Sequence, residues 1–175
     1  ADRALFPCRE VTGGAALLTI ALARAHLRAG GGDAAETLLL ELLQTHDSVP
    51  ARTILARHYN ETGRHEEAAL HAEKACEHGK ARLEPSLQLV EAYYHLGRFE
   101  EGVVVLDRIR WPLERKSLLL HWKARYCAKL GRPADAEAFW RECNGLVENP
   151  AYLAAFAEFL AAQPLLAEAL AVVDA

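Results

Sequence analysis

Four cysteines and eight histidines are the residues of this 175-residue chain whose types suit metal or thiol chemistry. Their spacing argues against both. A zinc site wants Cys or His pairs a few residues apart, closed by a second such pair. Cys8, Cys76, Cys127 and Cys143 form no such pair, and no His-x-x-x-His or His-Glu-x-x-His occurs to set two imidazoles on one helix face. His71 and His78 stand seven apart with Cys76 between them. Cys76, Cys127 and Cys143 read as small buried apolar residues and Cys8 as an exposed one. His26 falls in a core series, and the other histidines are expected mostly on solvated faces. Ser48, Ser86 and Ser117 lie near expected helix starts, where a hydroxyl caps free N–H groups. No Gly-x-Ser-x-Gly is present, and "RAGGGDA" at Arg28 lacks the Lys and Ser/Thr of a phosphate-binding loop. The chain is therefore expected to have no catalytic residues, no metal and no cofactor, and not to be an enzyme.

The elements that position these residues repeat. "GRHEEA" at Gly63 returns as "GRFEEG" at Gly97 and "GRPADA" at Gly131, at intervals of 34 residues, and a weaker copy anchors on Gly30. Before each glycine, at eight, seven and four residues, stand Leu22/Ala23/His26, Leu55/Ala56/Tyr59, Leu89/Val90/Tyr93 and Lys123/Ala124/Cys127. After it, at five, nine and twelve, stand Ala35/Leu39/Leu42, Ala68/Ala72/Ala75, Gly102/Leu106/Ile109 and Ala136/Trp140/Cys143. Steps of three and four on both sides of a glycine describe two amphipathic helices joined by a tight turn. Glycine suits a left-handed cap there, and the small residue five places on lets the second helix approach the first. Ala68 and Ala136 are expected at the closest crossings. Helices are predicted near 15–29, 33–46, 50–62, 66–78, 85–96, 100–110, 116–130, 134–145, 150–162 and 165–174, with residues 1–14 a linker or tail and 15–175 the repeat domain. With Ala1 first and no Met anywhere, the chain reads as an excised fragment or a processed product.

A 34-residue helix–turn–helix unit with this pattern resembles the tetratricopeptide repeat over about residues 15–148, with a shortened fifth copy after it. The resemblance implies an all-α fold, a right-handed superhelical solenoid of four to five stacked antiparallel helix pairs. It also implies that the first helix of each pair lines a concave groove that binds a peptide or protein partner. Six residues before the repeat glycines stand Arg24, Arg57, Glu91 and Arg125; two before stand Arg28, Glu61, His95 and Lys129. Five of these eight are Arg or Lys and two are Glu, on a chain of net charge −4. Arg24, Arg57, Glu91, Trp122, Arg125 and Lys129 are thus expected to bind a partner segment, acidic or ending in a carboxylate, with Trp122 supplying apolar contact.

The net charge also speaks against nucleic acid, as does the lack of a regular base-reading pair in each repeat. No apolar run is long enough to span a bilayer. Reduced cysteines point to the cytoplasm, with the periplasm after signal removal as the alternative. The resulting expectation is a non-catalytic interaction scaffold. Its alternative is an accessory repeat domain of a larger enzyme, such as a bacterial glycosyl- or sulfo-transferase, serving oligomerisation or acceptor positioning. A third reading is a peptide sensor whose superhelix tightens on its ligand. Ala151 to Ala175 carry few charges and place Leu166, Leu170 and Val173 on one stripe and Leu165 on another. This end is expected to pack against a second copy of the chain, as a homodimer through these C-terminal helices, or against a further segment.

Overall fold

The computed structural model describes residues 6–77 and 82–163, with side chains from residue 14 onward. All regular structure among the described residues is helical, as expected. The helices are α1 (Phe6–Arg28), α2 (Gly32–Thr45), α3 (Val49–Glu61), α4 (His65–Glu77), α5 (Leu83–His95), α6 (Phe99–Arg108), α7 (Lys116–Lys129), α8 (Pro133–Leu146) and α9 (Pro150–Ala161). The chain divides into two compact units, Ala1–Gly97 and Arg98–Ala175.

The turns explain the recurring hexapeptide. Gly30, Gly63, Gly97 and Gly131 have φ of 80°, 78°, 73° and 70°, the left-handed region that a side chain would strain. The next residue's N–H then reaches back five residues to an unpaired helix carbonyl: Gly31 to His26 at 2.8 Å, Arg64 to Tyr59 at 2.8 Å and Arg132 to Cys127 at 2.9 Å. The arginine after the glycine precedes the second helix and clasps an acid in its first turn. Arg64 donates to Glu67 at 3.0 Å, Arg98 to Glu101 at 2.7 Å and Arg132 to Asp135 at 2.8 Å. Those carboxylates also sit at the positive end of the helix dipole.

In the first unit α1 pairs with α2 and α3 with α4, and α5 packs on both α3 and α4. Ala23, Ala35, Leu55, Ala56, Ala68 and Ala72 at the crossings are fully covered. In the second unit α7 packs on α6 and α8, and α8 on α9. Ala136, Trp140 and Cys143 are buried there, and Gly102 faces the ring of Tyr126 so closely that a Cβ would collide with it. Ser48 caps α3, accepting from the Ala51 N–H at 3.4 Å, and Asn149 caps α9, accepting from Ala151 at 2.9 Å. Pro50, Pro133 and Pro150 fill first-turn positions that need no N–H.

Several expectations are corrected. The first helix, expected from residue 15, already begins at Phe6. Pro7 stands in its first turn, where its missing N–H costs nothing, and glycines weaken a helix by only about 1 kcal/mol each without removing a hydrogen bond. Ser86 is no cap. It is buried inside α5, with its hydroxyl 3.7 Å from the Cys76 thiol. Ser117 lies one residue into α7 and offers its carbonyl, not its hydroxyl, to the Cys143 thiol at 3.2 Å. Cys76 is half-buried, whereas Cys127 and Cys143 are buried as expected. The expected helix 165–174 lies outside the described residues.

The histidines are also less solvated than expected. His71 and His121 are half-buried, and the Nδ1 of each is enclosed without a hydrogen-bond partner. His121 stacks on Tyr152 at 4.4 Å and meets the Trp140 ring edge-on at 4.9 Å. Burial there, with the positive charge of Arg125, pushes its pKa down to about 4. His65 stacks on His95 at 4.3 Å, its Nδ1 3.3 Å from the Asn60 amide oxygen. Helix periodicity marks the face a residue lies on but not what the next helix lays over that face.

Candidate functional site

Three first helices build the site in the first unit. Ala21, Arg24, Leu27 and Arg28 come from α1, and Thr53, Ile54, Arg57 and Glu61 from α3. Arg82, Leu83, Glu84 and Pro85 come from the start of α5, and Val49 and Pro50 complete an open groove of about 870 Å³. Its floor is largely apolar and its rim carries four arginines against two glutamates. Arg24 and Arg57 are exposed. Arg57 has a loose partner in Glu84 at 3.7 Å, with both side chains about half exposed, at 52% each. Exposed pairs of that kind contribute little and exchange readily.

The α3 wall is held from behind by a polar clasp. Tyr59 donates to one Glu36 oxygen at 2.9 Å and Arg64 to the other at 2.8 Å, while the Arg64 guanidinium lies over the Tyr59 ring at 4.3 Å. Burial alone would raise the Glu36 carboxyl. The hydrogen bonds from Arg64 and Tyr59 and the charges of Arg64 and His58 outweigh it and hold the group below the usual carboxylate range. The Tyr59 hydroxyl is pushed up to about 12, by burial first and then by the glutamate it serves. Asn60 pins α3 to α5 by donating to the Gln88 carbonyl at 2.9 Å.

Of the six residues read as partner-binding, the groove brings together Arg24 and Arg57. Glu91 is half-buried on α5 and is not among the groove's lining. Arg125, Lys129 and Trp122 lie on α7, in the second unit. Trp122 is packed rather than exposed. It is only 8% exposed, and the Arg125 guanidinium covers its ring at 4.7 Å. It stands nine residues before the repeat glycine; in the same place Ile54 and Gln88 are buried and Ala21 is exposed, and Ala21 and Ile54 line the groove. Sequence reading missed Arg82 and Glu84, which precede or open a helix and so have no place in the first-helix pattern. The oligomer candidates Leu165, Leu166, Leu170 and Val173 lie outside the described residues. Among the described residues no group of three or more His, Cys, Asp or Glu is placed to hold a metal, and no helix is long and apolar enough to cross a membrane.

The family model described as "Tetratricopeptide repeat" matches residues 49–74, 84–108 and 117–142, each beginning in or just before a first helix and ending in the second. The chain is a tetratricopeptide-repeat protein. Its fold is similar to the crystal structure of a thermophilic tetratricopeptide-repeat protein of Thermus thermophilus, at 25% identity and TM-score 0.68, covering 89% of this chain and 87% of that one. It is also similar to the structure of MamA from AMB-1, at 22% identity and TM-score 0.65, covering 73% and 70%. No curated protein matches the chain. Tetratricopeptide repeats are in general protein–protein interaction modules, and the repeats found here place the chain in that broad class.

Proposed function

We propose that this tetratricopeptide-repeat protein is a non-catalytic scaffold that holds an acidic segment of a partner protein in the groove of its first unit. The observation that carries the reading is the rim: Arg24, Arg28, Arg57 and Arg82 against Glu61 and Glu84, over an apolar floor, on a chain that is acidic as a whole. Arginine suits this role because its planar fork donates two parallel hydrogen bonds to a carboxylate. Apolar residues between the acids would cover Val49, Pro50 and Leu83, and an open groove demands little rearrangement of either partner.

The test is an array of acidic, neutral and basic peptides probed with the natural chain and with Arg24→Glu/Arg57→Glu. Acidic peptides should be retained preferentially, less so as salt rises, and lost by the variant at unchanged thermal stability. Retention of the same peptides by the double variant would remove the groove from the mechanism.

A further inference from the structure

We infer that the groove reads the spacing of its ligand's charges: it takes a polyproline-II segment with two carboxylates three residues apart, one for Arg24 and one for Arg57. This rests on the groove reading above. Arg24 and Arg57 occupy the same register, six residues before Gly30 and Gly63, and both line the groove, one from α1 and one from α3. Those helices touch, and packed helix axes lie about 8–10 Å apart. A ligand crossing from one helix to the other therefore meets two arginines carried on backbones roughly that far apart.

Few peptide conformations repeat a face at that interval. A β-strand returns to one face every two residues, about 6.6 Å. An α-helix does so after four residues, about 6 Å. Polyproline II has three residues per turn at about 3.1 Å each, so side chains three apart share a face about 9 Å apart. Its backbone needs no partner hydrogen bonds, and this groove offers side chains rather than a strand edge. One of the two residues between the acids then turns toward the floor, where Ile54 is buried and Val49, Pro50 and Leu83 present apolar surface suited to a proline ring.

The neighbouring register cannot do the same. Two residues before the glycines stand Arg28 and Glu61, one of each sign, so a second acid there meets repulsion. Glu84 occupies Arg57 at 3.7 Å when no ligand is bound and must yield to the peptide carboxylate. Removing that competitor should therefore strengthen binding.

The experiment is a fluorescence-anisotropy titration of the intact chain with labelled proline-rich peptides that differ only in whether two glutamates stand one, two, three or four residues apart. A spacing of three should bind tightest, about tenfold better than a spacing of one, with two and four between because arginine side chains reach. Arg24→Glu and Arg57→Glu should each weaken the best peptide about tenfold and flatten the preference, and Glu84→Gln should tighten it several-fold. Equal affinity at all spacings, with both arginines still required, overturns the spacing rule and leaves the groove standing. Binding indifferent to either arginine, or no binding of any peptide, overturns both. An unchanged affinity in Glu84→Gln overturns the assignment of the second carboxylate to Arg57.

Discussion

The two units fill their helix crossings by different means. In the first, Ala68 of α4 is fully covered, and Tyr59 of α3 is buried with its hydroxyl tied to Glu36. Tyr93 repeats the arrangement one copy later, donating to Glu73 at 2.7 Å. In the second unit the corresponding place holds Cys127, which has no such hydroxyl to tie down. There the fully covered ring is Tyr126 of α7, set against Gly102 of α6, across the contact between successive helix pairs rather than within one. Phe99, Trp122, Trp140 and Tyr152 fill in around α7 and α8. Small-against-small packing with polar clasps leaves α1 and α3 free to carry charge into the groove. A large ring in a glycine notch concentrates the second unit's stability in apolar contacts and leaves it less tolerant of added volume.

The sharpest test of that contrast is Gly102→Ala. The added methyl must enter the space of Tyr126, so the variant should lose about 3 kcal/mol by urea unfolding. Tyr126→Phe should not rescue it, because ring carbons lie as close to the added atom as the hydroxyl does. Ala68→Leu in the first unit should cost about 2 kcal/mol by the same overpacking. If Gly102→Ala is neutral, the notch does not exist and the comparison fails.

Acid should also separate the units. His121 in the second unit stays neutral when folded down to about pH 4, whereas an unfolded histidine takes a proton near pH 6.5. The unfolded state therefore binds more protons between those values, so stability falls as pH drops from 6.5 to 4, by about 1–2 kcal/mol allowing for partial solvent access. Unfolding curves of His121→Phe across that range should lose this slope while keeping the contact with Tyr152. An undiminished slope would place the acid sensitivity elsewhere, with His71 next in line because burial lowers it too.

Smaller again is the clasp of the first unit. Glu36→Gln weakens the acceptor for both Tyr59 and Arg64 and should cost about 1 kcal/mol at neutral pH. Because the folded carboxyl is held low, its contribution is present above the unfolded carboxylate range and disappears as pH falls through the folded value. The variant and the natural chain should therefore converge in stability at the acid end of a pH series.

The smallest effect has the opposite sign. Gly14 lies in the body of α1, and a methyl added there would meet nothing within 4 Å, so Gly14→Ala should stabilise by about 0.5–1 kcal/mol. Two helical glycines thus answer to one substitution in opposite directions, and a melting curve for each decides it.

These residues mark how far the chain could be read unaided. Gly30, Gly63, Gly97 and Gly131 were legible because a left-handed turn between two amphipathic stretches is a local requirement, written within a few residues of each glycine. Ser48 as a cap was legible for the same reason. Gly13 and Gly14 misled because local propensity is a weak prior, which a helix continued from both sides overrides. Trp122 misled because exposure on a repeat's face depends on what is laid over it, and Arg125 and the neighbouring rings are laid over it.

The amino-acid sequence by itself determined the helix–turn–helix unit, its period and the closeness of each hairpin, since turn conformation, capping and i, i+3, i+4 periodicity are short-range physics. Only the tertiary structure decided which charges share a groove. Arg24, Arg57 and Arg82 are far apart along the chain, and no local rule joins them. They line one groove because α1, α3 and α5 are brought side by side by the burial of Ala23, Leu55, Ala56 and Val90 behind them. Packing is non-directional in sequence, so it sets the neighbours that a linear pattern leaves open.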